Sequence, residues 1–132
     1  MPAHAYDYAV LRAVPRVERG ERINVGVVLS CPAKGFLDCA THLDRARLFA
    51  LDPAADADAL ARHLASIEAV RRGRRDAGPV AAMSRTERFH WLVSPKSTVL
   101  QASHVHAGRC EDPAKTLAHL FETLVLAGTD GG

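Results

Sequence analysis

The sequence predicts an α+β protein: a small antiparallel sheet, built from an N-terminal three-strand meander plus one later strand, with helices packed on one face. Three observations carry that prediction. Between residues 6 and 41 the apolar residues alternate or run in short β-branched stretches separated by turn residues. From Asp44 onward they recur at helical spacing, behind residues that cap helices. The connections between the first three segments are short, which suits antiparallel neighbours and leaves no room for a crossover helix.

The elements follow in order. Tyr6 to Val14 is rich in aromatic and β-branched residues and stops at Pro15, which reads as the first strand. Gly20, in the polar connection after it, can supply a positive φ angle. Ile23 to Cys31 is the second strand, with Ile23, Val25, Val27 and Leu29 expected on one buried face. Gly26 within it suggests a bulge, or a group that approaches the backbone closely. After a turn at Pro32 to Gly35, Phe36 to Thr41 forms the third strand. Asp44 caps a short helix, Arg45 to Leu51, and Asp52-Pro53 reads as the cap and first residue of a longer one. That helix carries Leu60, Leu64 and Ile67 on one face and ends at Gly73, before a loop from Arg74 to Ala82. Ser84-Arg85-Thr86-Glu87 has the capping-box pattern of a helix from Arg85 to Val93. Asp112-Pro113 starts the last helix, whose Leu117, Leu120, Phe121 and Leu124 share a face.

Size and composition narrow the class. With 48% hydrophobic and 24% charged residues the chain has the balance of a folded globular protein, and its 132 residues suit one core. We expect a single domain over residues 6–127 and a flexible tail over 128–132. A formal net charge of +2 gives no general attraction to nucleic acid, so none is expected as a partner. The basic cluster Arg71, Arg72, Arg74 and Arg75 falls at a helix C-terminus, where it complements the dipole without any ligand. No apolar run is long enough to span a bilayer. The start lacks the basic and apolar segments of a secretory leader, and the three cysteines have no regular spacing. A cytoplasmic protein with reduced thiols is expected.

The chemistry-bearing residues are densest between Ser94 and Arg109, where hydroxyls, two histidines, a lysine, an arginine and a glycine follow one another. If residues 102–108 are extended, His104 and His106 point to the same side. Such a pair could hold a metal, shuttle a proton or contact a phosphate. Lys96, Ser97 and Thr98 could grip an anion, although no Walker pattern surrounds them and no Gly-x-Ser-x-Gly elbow is present. A polar loop whose hydroxyls satisfy backbone groups would have the same composition. Cys39, His42, His106 and Cys110 contain the atom types of a zinc site, but there is only one closely spaced pair, so no metal or other cofactor is expected.

Two blocks carry a family resemblance. The first runs from Tyr6 to Pro15 and on through Arg19-Gly20-Glu21 to Leu29; the second is Pro95 to Gly108, followed by Asp112-Pro113. Together they resemble a bacterial family of unknown function, number three thousand and thirty-seven among the domains of unknown function. The resemblance implies no activity or cofactor. It does suggest a partner, since members are often encoded beside HipA-like kinases.

The leading expectation is therefore a small protein-partner or ligand-binding module, acting with a HipA-like kinase. Its site would combine Arg12, Asn24, Lys96, Ser97, Thr98, Gln101, His104, His106 and Arg109. Arg12 and Asn24 are polar residues inside apolar strands; buried without partners they would cost a few kcal/mol, so they should face the second block. The alternative is an enzyme acting on a phosphate-bearing or nucleotide substrate. There His106 would be the general acid or base, Ser97 would position the substrate, and Lys96 and Arg109 would hold charge.

Overall fold

The computed structural model of the chain describes residues 3–71, 84–94 and 99–126. Its five strands form one antiparallel sheet: β1 (His4–Ala13), β2 (Ile23–Cys31), β3 (Phe36–Thr41), β4 (Leu100–Ala102) and β5 (His106–Cys110). β1 pairs with β2 and β2 with β3, which is the expected meander. The other edge of β1 is shared, with β4 along Leu11 to Ala13 and β5 along His4 to Tyr8. The one later strand read from the sequence is thus two short ones, separated at residues 103–105.

β2 determines the layering. Leu11 pairs with Gly26 but Arg12 pairs with Asn24, so Val25 is an extra residue and the ladder bulges there. Before the bulge, Ile23 and Val25 join one core; beyond it, Val27, Leu29 and Cys31 join another, on the opposite face. This corrects the expectation that Ile23, Val25, Val27 and Leu29 share a face, because an inserted residue shifts the alternation by one. A Cβ on Gly26 would lie 3.0 Å from the Ala40 carbonyl oxygen and 3.2 Å from Leu11 Cδ1. The close approach that glycine permits is therefore made by β1 and β3.

Both faces of the sheet are covered. Helices α1 (Arg45–Leu51), α2 (Ala57–Arg71) and α3 (Arg85–Val93) set Leu48, Leu60, Leu64, Ile67, Phe89 and Leu92 against Leu11, Ala13, Ile23, Val25, Val28 and Cys39. Helix α4 (Pro113–Phe121) continues into a π-helical turn, Glu122–Leu126. It places Leu117 and Val125 on Val27, Leu29 and Cys31, with Tyr6, Tyr8 and Phe36 at the margin. Helices on one face describes α1 to α3; α4 lies across the other. Each fully buried leucine or valine contributes about 1.5–3 kcal/mol, so neither layer is dispensable. The two-sided cover explains why β2 is apolar along almost its whole length.

The capping residues act largely as expected. Asp44 accepts from the Arg47 amide at 3.1 Å, Ser84 from Glu87 at 3.2 Å, and Asp112 from Ala114 and Lys115 at 3.1 and 3.3 Å. α2 is the exception. It begins at Ala57, with Asp56 Oδ1 accepting from the Ala59 amide at 3.0 Å. Asp52-Pro53 instead forms a separate turn, since the Asp52 side chain accepts from Ala54 and its carbonyl from Ala55, both at 3.0 Å. Gly73 and the loop from 74 to 82 lie outside the described residues. Among the described residues no helix is long and apolar enough to cross a membrane.

Candidate functional site

The face of the sheet beneath α4 is where the two sequence blocks meet. Pleat alternation and strand register place His4, Tyr6, Tyr8, Val10 and Arg12 of β1 on that face. Asn24 on β2 is directly opposite Arg12, and Gln101 on β4 is opposite it on the other side. Asn24, Arg12 and Gln101 thus form one polar row across three strands. Four residues along β1, about 13 Å at the usual rise, a second row joins Leu29, Tyr8 and His106.

The polar row is only partly satisfied. Asn24 Nδ2 donates to the Leu124 carbonyl at 2.9 Å, which ties the π-helical turn to the sheet. Arg12 differs. Its Nε is buried and has no hydrogen-bond partner among the described residues. Burial first, and the nearby Arg22 charge second, depress its pKa below the ordinary arginine value. It stays protonated at neutral pH all the same. Among the described residues no carboxylate comes within ion-pair distance of Arg12 or Arg22. Two guanidinium groups close enough to repel, without a counter-charge, form a place suited to an anion.

The second row is aromatic. The His106 ring stacks on Tyr8 with centroids 5.1 Å apart and planes at 27°, and His104 leans on His106 at 4.3 Å. Tyr6 continues the series, 6.1 Å from Tyr8. Burial, with Tyr8 and Cys110 beside it, raises the Tyr6 phenol pKa. Gly108 is the seat for the Tyr6 ring: a Cβ there would stand 2.5 Å from Tyr6 Oη and 2.6 Å from Cζ. No nucleophile or carboxylate joins these rings in a ring contact or hydrogen bond among the described residues.

Between the rows, Ser103 accounts for the break in the strand. Its amide donates to the Val10 carbonyl at 2.8 Å, while the Val10 amide donates to Ser103 Oγ at 2.9 Å. A side-chain oxygen thereby stands in for the backbone carbonyl that a continuous strand would present. The same hydroxyl donates to the His104 carbonyl at 2.9 Å.

The chain matches the family model described as Protein of unknown function (DUF3037) over residues 8–125. It belongs to that family. No curated protein and no solved structure matches it. In this member of the DUF3037 family, Ser103 and Gly108 of the second block act on the first block through packing and hydrogen bonding.

The structure sorts the residues singled out from the sequence. Arg12, Asn24, Gln101 and His106 lie on one face, with the exposed His104 against His106. Arg109 pairs with Ala5 and projects from the opposite face. Lys96, Ser97 and Thr98 lie outside the described residues. The hypothetical zinc ligands are divided: Cys39 belongs to the α1–α3 core, whereas His106 and Cys110 are in register on the α4 face. Sequence reasoning missed Tyr6, Tyr8, Ser103 and Arg22. The alternate tyrosines of β1, matched in spacing by His106 and Gly108, were the available signal.

Proposed function

We propose that this protein is a small binding module that takes an anionic group, phosphate or carboxylate, on its α4 face, with Arg12 as the anchor and Arg22 and Gln101 beside it. The observation that carries this reading is the buried Arg12 Nε without a hydrogen-bond partner among the described residues. A charged donor left unmet in a half-buried place costs stability, and a bound acceptor would recover it. The HipA-like kinase that the family resemblance suggests is the first protein partner to try, through an acidic or phosphorylated segment. An enzyme using His106 with Ser97, Lys96 and Arg109 has less support, because Arg109 projects from the opposite face.

Arg12→Met tests the reading, since methionine keeps an unbranched apolar stem and removes the charge. Inorganic pyrophosphate serves as probe, with binding read from the amide signals of Arg12, Asn24 and Gln101. The expected result is binding to the parent protein, none to the variant, and a variant at least as stable. If the variant binds pyrophosphate equally well, or if the parent does not bind it, Arg12 is not the anchor of an anion site.

A further inference from the structure

A second polar depression lies on the opposite side of the sheet, at the end of β2. It has a volume of about 220 Å³ and is lined by Ser30, Pro32, Phe36, Ser84, Arg85 and Thr86. Three of these are the cap and first two residues of α3, a helix of nine residues. The Ser84 hydroxyl takes the Glu87 amide, so the Arg85 and Thr86 amides are the donors of the first turn left unclaimed by the described residues. A helix start alone would mean little, because water satisfies most of them. Ser30 supplies the independent sign. It is 94% buried (6% exposed) and lines this depression, and its hydroxyl makes no hydrogen bond to a described residue. On the same face of β2, its neighbour two residues back is the fully buried Val28. A hydroxyl in that position belongs to the core by location and to the depression by chemistry.

From these placements we infer an oxyanion-binding site, sized for one phosphate group, formed by the Ser30 hydroxyl, the Arg85 and Thr86 amides, the Thr86 hydroxyl and the Arg85 guanidinium. The guanidinium lies over Gly35, with Nη2 3.3 Å from where a Cβ would stand, and makes no ion pair among the described residues. The acid of the first turn, Glu87, is held by the Ser84 hydroxyl at 3.0 Å and does not line the depression. It limits the excess positive charge, so the site fits a single phosphate group better than a polyphosphate. This site is independent of the one around Arg12, which lies on the α4 face.

The test is a titration of the whole protein with inorganic phosphate, followed by amide NMR, with sodium chloride at matched ionic strength as control. The expected result is a saturable shift of the Arg85, Thr86 and Ser30 amides that chloride does not reproduce. Arg85→Gln should weaken binding about tenfold or more by removing a charge-assisted contact, and Ser30→Ala about two- to tenfold. Ser30→Ala should fold normally, since it removes a hydroxyl with no partner among the described residues. Arg12→Met should leave these shifts unchanged, which separates failure of this site from failure of the other. No saturable shift, equal shifts with chloride, or unchanged affinity in both Ser30→Ala and Arg85→Gln would each overturn the inference.

Discussion

Ser103→Ala is the sharpest test of how the second block is built into the sheet. The substitution removes one oxygen. That oxygen accepts from the buried Val10 amide at 2.9 Å, and no backbone carbonyl occupies its place. The return bond, Ser103 amide to Val10 carbonyl at 2.8 Å, would survive, so the strand should keep its path. What remains is a buried N–H without a partner, at a cost of about 1–3 kcal/mol. The His104 carbonyl also loses its donor but lies toward solvent, where water can replace it. With urea m-values of about 1–3 kcal/mol/M, the unfolding midpoint should fall by about 0.3–3 M at unchanged m. Native-state hydrogen exchange should show the Val10 amide losing protection more than its β1 neighbours. A midpoint within about 0.2 M of the parent protein would refute the reasoning. The serine would then owe its place to something other than the strand break.

Three further outcomes are expected. Gly108→Ala forces the Tyr6 ring off its seat and should cost about 1–3 kcal/mol with a changed near-ultraviolet tyrosine signal; an unaltered signal would show that the ring does not rest there. Asn24→Ala removes the 2.9 Å bond to the Leu124 carbonyl, and should cost about 0.5–1.5 kcal/mol and speed amide exchange in Glu122–Leu126 specifically; exchange rising evenly through the chain would contradict the tie. Burial pushes the Cys39 thiol up to about 12, above the roughly 8.5 of an unfolded cysteine. A raised folded value favours the folded state fully below about pH 8.5 and loses that contribution as pH rises toward 12. Urea stability should therefore fall more steeply with alkaline pH in the parent than in Cys39→Ala, by up to about 1.4 kcal/mol per pH unit. Equal slopes would place Cys39 in a wetter setting.

Much of the fold was legible because local chemistry and tertiary structure agree. The boundaries of β2 and β3 coincide with turn residues, and those of α1, α3 and α4 with capping residues whose bonds are present. Errors arose where two local signals competed or where the decisive contact was distant. Asp52-Pro53 and Asp56 both offer a helix start; the Asp52 turn that closes on Ala54 and Ala55 delays the helix to Ala57. The layering depended on the bulge at Val25, and Gly26 hinted that one exists without saying that it turns Val27 and Leu29 to a different helix. No local pattern could reveal that α4 crosses to the other face, because its apolar stripe would suit either one.

For the site, the same comparison separates residues by what packing already explains. Gly108 is required by Tyr6, Ser103 by Val10, and Asn24 by the π-helical turn. Each is polar or small for a reason internal to the fold, so none of them needs a ligand to account for it. Arg12 is left over. In the middle of a three-strand row, a methionine or leucine would cover the same surface with no charge to desolvate and no buried nitrogen to satisfy. Arg22 makes matters worse by adding a second positive charge nearby. Local rules broken without compensation inside a fold are characteristic of places where something else binds. Since Asn24, the β2 neighbour of Arg12, is already explained by packing, the missing compensation should be an anion supplied from outside the described fold. A stable Arg12→Met protein that has lost the anion, with the Ser103 and Asn24 bonds intact, is the combination that this reasoning requires.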